Sequence, residues 1–157
     1  MSVNITFLGG TGTVTGSKYL VQHDGKKLLV DCGLFQGYKQ LRLRNWNPMP
    51  IEAADVDAVI LTHAHLDHSG YLPLLVKNGF KGRVHATNGT CDLASILLPD
   101  SGHIQEEDAA FANRHGFSKH SPALPLYTRQ DALDCLPMIK AVKHGTTFQP
   151  IAQWRVT

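Results

Sequence analysis

Residues 56–62, VDAVILT, are nearly all apolar, and four side chains able to bind a metal follow within six positions: His63, His65, Asp67 and His68. Such a run suits a strand covered on both faces, as in a parallel sheet with helical crossovers. Open α/β sheets build their sites beyond the carboxyl ends of their strands, which is where this cluster falls. Zinc and similar ions take imidazole nitrogen and carboxylate oxygen, with several donors converging at about 2.0–2.2 Å. If the backbone leaves the strand extended, side chains at i and i+2 share a side, so His63 and His65 can reach one ion. Asp67 and His68, at the bend before the next helix, then point to a second place nearby.

Length and composition fit that reading. The chain has 157 residues, enough for one ordinary domain with a real core. Hydrophobic residues make up 43% and charged ones 18%, a globular balance that argues against disorder and coiled coil. Fifteen Lys and Arg against thirteen Asp and Glu leave +2, too little for a polybasic tail. No apolar run approaches the roughly 18 residues of a membrane span. The opening MSVNITFLGG lacks the basic and long apolar regions of a signal peptide. Cys32, Cys91 and Cys135 are odd in number and far apart, which argues against a disulfide scaffold. A cytoplasmic protein with no membrane partner is the expectation.

Along the chain, residues 3–8 read as a strand, 9–17 as a glycine-rich bend, and 18–23 and 26–31 as a hairpin turning at Asp24-Gly25. A polar, basic stretch follows GLFQG, and a helix over about 69–77 should end at Asn78-Gly79. RVHA at 83–86 suits a strand. Asn88 is placed to cap a helix running to about Leu98, where Pro99 and Asp100 should break it. A polar helix over 103–114 should stop at Gly116, residues 117–127 should be extended, and Thr128 with Asp131 fits a capping box for a helix kinked or ended by Pro137. The final AQWRVT alternates like a strand just begun. Hairpins followed by strand–helix units imply α/β layers.

The string H-x-H-x-D-H at 63–68 resembles the signature of the metallo-β-lactamase superfamily of metal-dependent hydrolases. LLVDCG resembles its first motif, with Asp31 as a support for the site rather than a primary ligand. GLFQG at 33–37, HLDHSGYLP at 65–73 and DSGHIQEED at 100–108 are similar to the β-CASP branch of RNA-processing nucleases. The resemblance implies an αββα sandwich, with His63 and His65 on a first zinc, Asp67 and His68 on a second, and manganese as the alternative metal. It implies hydrolysis of RNA by a metal-activated water that Asp67 orients, whether from an end or internally. It also implies a third histidine, a bridging aspartate, a last histidine and a cap domain, none of which residues 1–157 contain. The chain is therefore expected to be the amino-terminal part of such a domain, inactive alone and prone to self-association. A glyoxalase-like thioester hydrolase and a non-catalytic scaffold are the alternatives.

Other signals are weaker. His103 could stand in as a ligand, but at the start of a polar helix a solvated position is the better reading. His85 should be a packed residue. The bend at Gly9–Ser17 has the wrong spacing for a phosphate cradle, and a strand rather than a helix follows it. Lys39, Arg42 and Arg44, between Tyr38 and Trp46, could hold phosphates and stack bases, yet three charges are few and a solvated loop is preferred. Cys32 is expected to be an inert thiol, since a metal hydroxide needs no other nucleophile.

Overall fold

The computed structural model describes residues 2–157. Six strands form one sheet in chain order: β1 (Asn4–Gly9), β2 (Lys18–His23), β3 (Lys26–Val30), β4 (Ala58–Ile60), β5 (Arg83–Thr87) and β6 (Ile139–Val142). The first three pair antiparallel, and β3 through β6 are parallel. The β2–β3 turn has positive φ at both Asp24 (49°) and Gly25 (74°), as a two-residue hairpin turn requires. The helices are α1 (Lys39–Arg42), α2 (Leu66–Ser69), α3 (Leu72–Lys77), α4 (Asn88–His115) and α5 (Arg129–Cys135).

The two sheet faces are covered differently. Leu20, Leu29, Val59, Val84 and Ala86 point to one side and join Leu72, Leu75, Ala94, Leu98 and Ala132 of the helices in the main core. Full burial of one such aliphatic side chain contributes about 1.5–3 kcal/mol. On the other side Leu28 and Ala58 are covered by Ile151, with Trp154 packed at the margin. The sheet and its helices thus form one αβ half of the expected αββα arrangement. His85 lies on this second face, 6% exposed, its ring 5.1 Å from Phe148, and neither ring nitrogen has a hydrogen-bond partner. Burial, with Lys140 and Arg83 nearby, lowers its pKa, so the ring is packed neutral.

Three expectations are corrected. Pro99 does not break the helix: α4 runs unbroken through it for 28 residues, and Thr87 rather than Asn88 occupies the cap position. The turn containing Pro99 is held from outside. Leu98 is fully buried, the Ser101 hydroxyl lies 2.9 Å from the Tyr127 hydroxyl, and Gly102 lets the backbone at Thr128–Arg129 pack so close that a Cβ would approach it to 2.7 Å. These contacts outweigh the one helical bond that proline removes. Second, AQWRVT is no strand of the sheet; Val156 only bridges back to Phe148. Third, β6 arises where no strand was expected, directly after the turn at Leu136–Met138 that contains Pro137. The helix after the histidine cluster also starts early, as α2 at Leu66.

The capping box at α5 forms as expected: the Thr128 side chain accepts from the Asp131 N–H, and the Asp131 carboxylate accepts from the Thr128 N–H. Thr128→Ala should lower unfolding free energy by about 1 kcal/mol in urea denaturation. Asp57 ties β3 to β4 by accepting from the Lys27 N–H (2.8 Å) and the Lys26 ammonium (2.9 Å). Burial pushes its pKa up, but these donors outweigh that and hold it below the usual 3.8. Its contribution is therefore complete above pH 3.8 and lost as pH falls further. Asp57→Asn should flatten the acid limb of the pH–stability curve below that value; an unchanged limb contradicts this assignment.

Candidate metal centre

Three segments meet at the carboxyl ends of β3 and β4: Ser17 after the glycine-rich bend, Asp31–Leu34 after β3, and Thr62–Tyr71 after β4. Backbone bonds join them, with Ser17 N–H donating to Asp67 O (2.8 Å), Cys32 N–H to His68 O (2.7 Å), Leu34 N–H to Leu66 O (2.9 Å) and Tyr71 N–H to Cys32 O (2.8 Å). This approach requires Gly33, where a Cβ would lie 1.6 Å from the carbonyl oxygen of Asp67. Gly16 is required too, having φ of +82° and the Phe35 ring within 2.4 Å of a notional Cβ.

Asp31 is the hub. It is 2% exposed and sits at φ 60°, a left-handed conformation that Asp tolerates better than most residues. Its Oδ1 accepts from the Thr62 N–H (2.8 Å) and the Thr62 hydroxyl (2.9 Å). Its Oδ2 accepts from the Ser17 hydroxyl (3.2 Å) and His68 Nδ1 (2.8 Å). Both oxygens are thus engaged by protein donors, which fits a residue that positions others.

The network also sets the imidazoles. The single proton of the Thr62 hydroxyl goes to Asp31, so toward His63 Nδ1, 3.0 Å away, that oxygen can only accept. His63 therefore carries its proton on Nδ1, and its Nε2 lone pair faces His65 Nδ1 at 3.2 Å. His68 gives its Nδ1 proton to Asp31, which leaves its Nε2 toward Asp67 Oδ2 at 3.5 Å. The His63 and His68 rings lie 4.0 Å apart, centroid to centroid, so the two donor pairs adjoin. Burial lowers the His63 pKa, and the His68 and His65 rings lower it further against the opposing carboxylates of Asp31 and Asp67. A neutral imidazole is the form that binds metal.

The four residues singled out in the sequence are thus brought together as two facing pairs. Among the described residues, no group of three or more His, Cys, Asp or Glu is placed to hold one ion. The donor chemistry of each pair fits a divalent metal, one protein ligand short of the usual three of a catalytic zinc. His103 stays outside, half-exposed on α4 and 3.5 Å from Glu107. Cys32 is fully buried, and burial pushes its thiol up to about 12, so it is no nucleophile. Sequence reasoning missed Ser17 and Thr62. Thr62 was visible as the last residue of the apolar run, but nothing in the sequence pairs either hydroxyl with Asp31.

Residues 11–125 match the metallo-beta-lactamase superfamily. The chain belongs to that superfamily. Among curated proteins it is 43% identical over 105 residues to Ribonuclease TTHA0252 of Thermus thermophilus, covering 67% of this chain and 24% of that protein. It is 32% identical over 145 residues to Transcription termination factor FttA of Methanocaldococcus jannaschii (92% and 21% covered), and 30% identical over 151 residues to Endoribonuclease YSH1 of Gibberella zeae (96% and 17%). These relatives are of the β-CASP branch that the motifs resemble. The chain spans only 17–24% of their lengths. Among solved structures, the metallo-beta-lactamase SMB-1 aligns with a TM-score of 0.51 at 20% identity, over 93% of this chain and 46% of that one, and so shares the fold.

Two substitutions test how this superfamily site is held. Asp31→Ala leaves the donors of Ser17, Thr62 and His68 without their acceptor and should cost about 3 kcal/mol or more in urea denaturation. Gly33→Ala should be comparably damaging, because backbone rather than a flexible side chain blocks the new methyl. Near-native stability of either variant would show that the three segments are not locked together as described.

Proposed function

We propose that this chain belongs to a metal-dependent hydrolase that cuts RNA phosphodiester bonds, with His63 and His65 holding one zinc and Asp67 and His68 a second, manganese being the alternative metal. The observation that carries this reading is the pair of facing donor sets anchored on one buried carboxylate. The names of the relatives, two of them ribonucleases, direct the reading toward RNA. When bound, two adjacent divalent ions supply a water of lowered pKa and positive charge against the attacked phosphate. Asp67 holds and orients the attacking water. Asp31 keeps the His68 ring turned so that Nε2 faces the site, and the Thr62 hydroxyl does the same for His63.

Residues 1–157 are, in this reading, the amino-terminal part of the hydrolase domain. The further ligands and the cap wall of an RNA groove come from chain outside them. The small share of each relative that the chain covers supports this.

Two measurements test the proposal. Elemental analysis after dialysis against zinc should find fewer than two retained equivalents, lowered further by His65→Ala. Asp31→Asn, which leaves one neutral acceptor oxygen for the donors of Ser17, Thr62 and His68 and sets an NH2 group against the others, should weaken metal binding about 10–100-fold. Occupancy unchanged by His65→Ala would overturn the ligand assignment. On labelled single-stranded RNA with zinc or manganese, residues 1–157 alone should be inactive, and a longer gene product carrying them should cleave in a manner lost in His63→Ala. Turnover of a thioester with no action on RNA would overturn the RNA reading.

A further inference from the structure

Lys18 is a charged residue in the wrong place for a solvated one. It is 3% exposed, and its ammonium lies 4.7 Å from the centroid of the Phe35 ring and 4.6 Å from that of Tyr71. Neighbouring strand residues face opposite ways: Ser17 turns to Asp31, while Lys18 turns to the helix side. Among the described residues no carboxylate lies within ion-pair distance of Lys18, and no oxygen accepts a hydrogen bond from its ammonium. Almost all of the side chain is withdrawn from water, and the ammonium keeps solvent only where it reaches the surface, a costly position for a charge without a partner. The two aromatic faces offset part of that cost but accept none of its three N–H donors in the ordinary sense.

The ammonium borders a cavity of about 140 Å³, and the Arg44 guanidinium approaches the same cavity from outside, 5.1 Å from the Phe35 centroid. Asn47 adds an amide to the lining, Leu8 and Pro48 supply apolar wall, and no acidic side chain lines it. Two cations with no counter-charge around one small hollow is an arrangement completed by an anion. A hollow of this size, open to solvent on one side, has room for a tetrahedral oxyanion. Burial lowers the Lys18 pKa to about 8, against a small opposing effect of the Cys32 thiol, so the side chain is still mostly cationic at neutral pH.

We propose that this cavity binds a phosphoryl group, as orthophosphate or as the end of a phosphate monoester, between the Lys18 ammonium and the Arg44 guanidinium. The site is separate from the histidine cluster, and its occupancy does not depend on the function proposed above. Lysine provides a buried point charge, and arginine at the mouth provides the planar fork that matches phosphate oxygens.

The test is a ³¹P NMR titration of metal-free protein in EDTA, at ionic strength held constant with sodium chloride, with melting temperature followed in parallel. Orthophosphate and phenyl phosphate are the probes, with phenol as the control for the ring. Saturable binding of either phosphate with a Kd of about 1 mM is expected. Lys18→Met should weaken it at least tenfold, as expected for loss of a charge-assisted bond, while the melting temperature without phosphate holds or rises, since an unpaired buried charge has been removed. Arg44→Gln, at an exposed position, should weaken binding severalfold with no change in fold. Binding of orthophosphate alone identifies the free ion as the ligand, and tighter binding of phenyl phosphate identifies a monoester. No saturable binding of either probe overturns the proposal. So does binding that both variants retain, or binding that is lost in His63→Ala and kept in Lys18→Met.

Discussion

The candidate site depends on a single buried carboxylate. Asp31 draws donors from two segments distant from it in sequence: a hydroxyl from the glycine-rich bend, and a backbone N–H, a hydroxyl and an imidazole from Thr62 and His68 after β4. A buried carboxylate left without donors would be intolerable, whereas one fully supplied is a strong organiser, because charge-assisted bonds are roughly twice as strong as neutral ones. The same bonds that satisfy Asp31 fix the rotations of Thr62 and His68, and Thr62 in turn orients His63. Two of the four ligand-type side chains, His63 and His68, are therefore oriented by the chain's own hydrogen bonds.

That organisation rests on backbone proximity. The histidine loop lies against the end of β3 so closely that only glycine fits at position 33, and four inter-segment backbone bonds hold it there. The motif LLVDCG reads from this as one device: apolar residues anchor the strand, the aspartate organises the site, the cysteine fills the core beneath it, and the glycine admits the neighbouring loop. A thiol held as deeply as Cys32 contributes packing and no chemistry.

Lys18 and His85 show the two ways this fold buries a basic group. His85, without a partner for either ring nitrogen, is packed in its neutral form. Lys18 keeps its charge by lying between aromatic faces next to a cavity that a second cation also borders. The first arrangement is settled within the chain, and the second invites a ligand.

What could be read from the sequence was what neighbouring residues determine among themselves. The Asp24-Gly25 turn, the Thr128–Asp131 capping box, the stop at Gly116 and the cluster at the end of an apolar strand are each set by a few consecutive side chains and backbone angles. So is the placing of His63 and His65 on one side, since alternation is a property of extended backbone. The tertiary structure decided the rest. It carried α4 through Pro99, because contacts with Tyr127 and the start of α5 outweigh one missing helical bond. It made β6 from IKAV, because β5 offers a parallel edge there. It also gave Asp31 its donors and Lys18 its aromatic cage from residues 14 to 53 positions away. Contacts of that separation leave no periodic trace in a sequence, since nothing in the local chain registers which distant surface will fold against it.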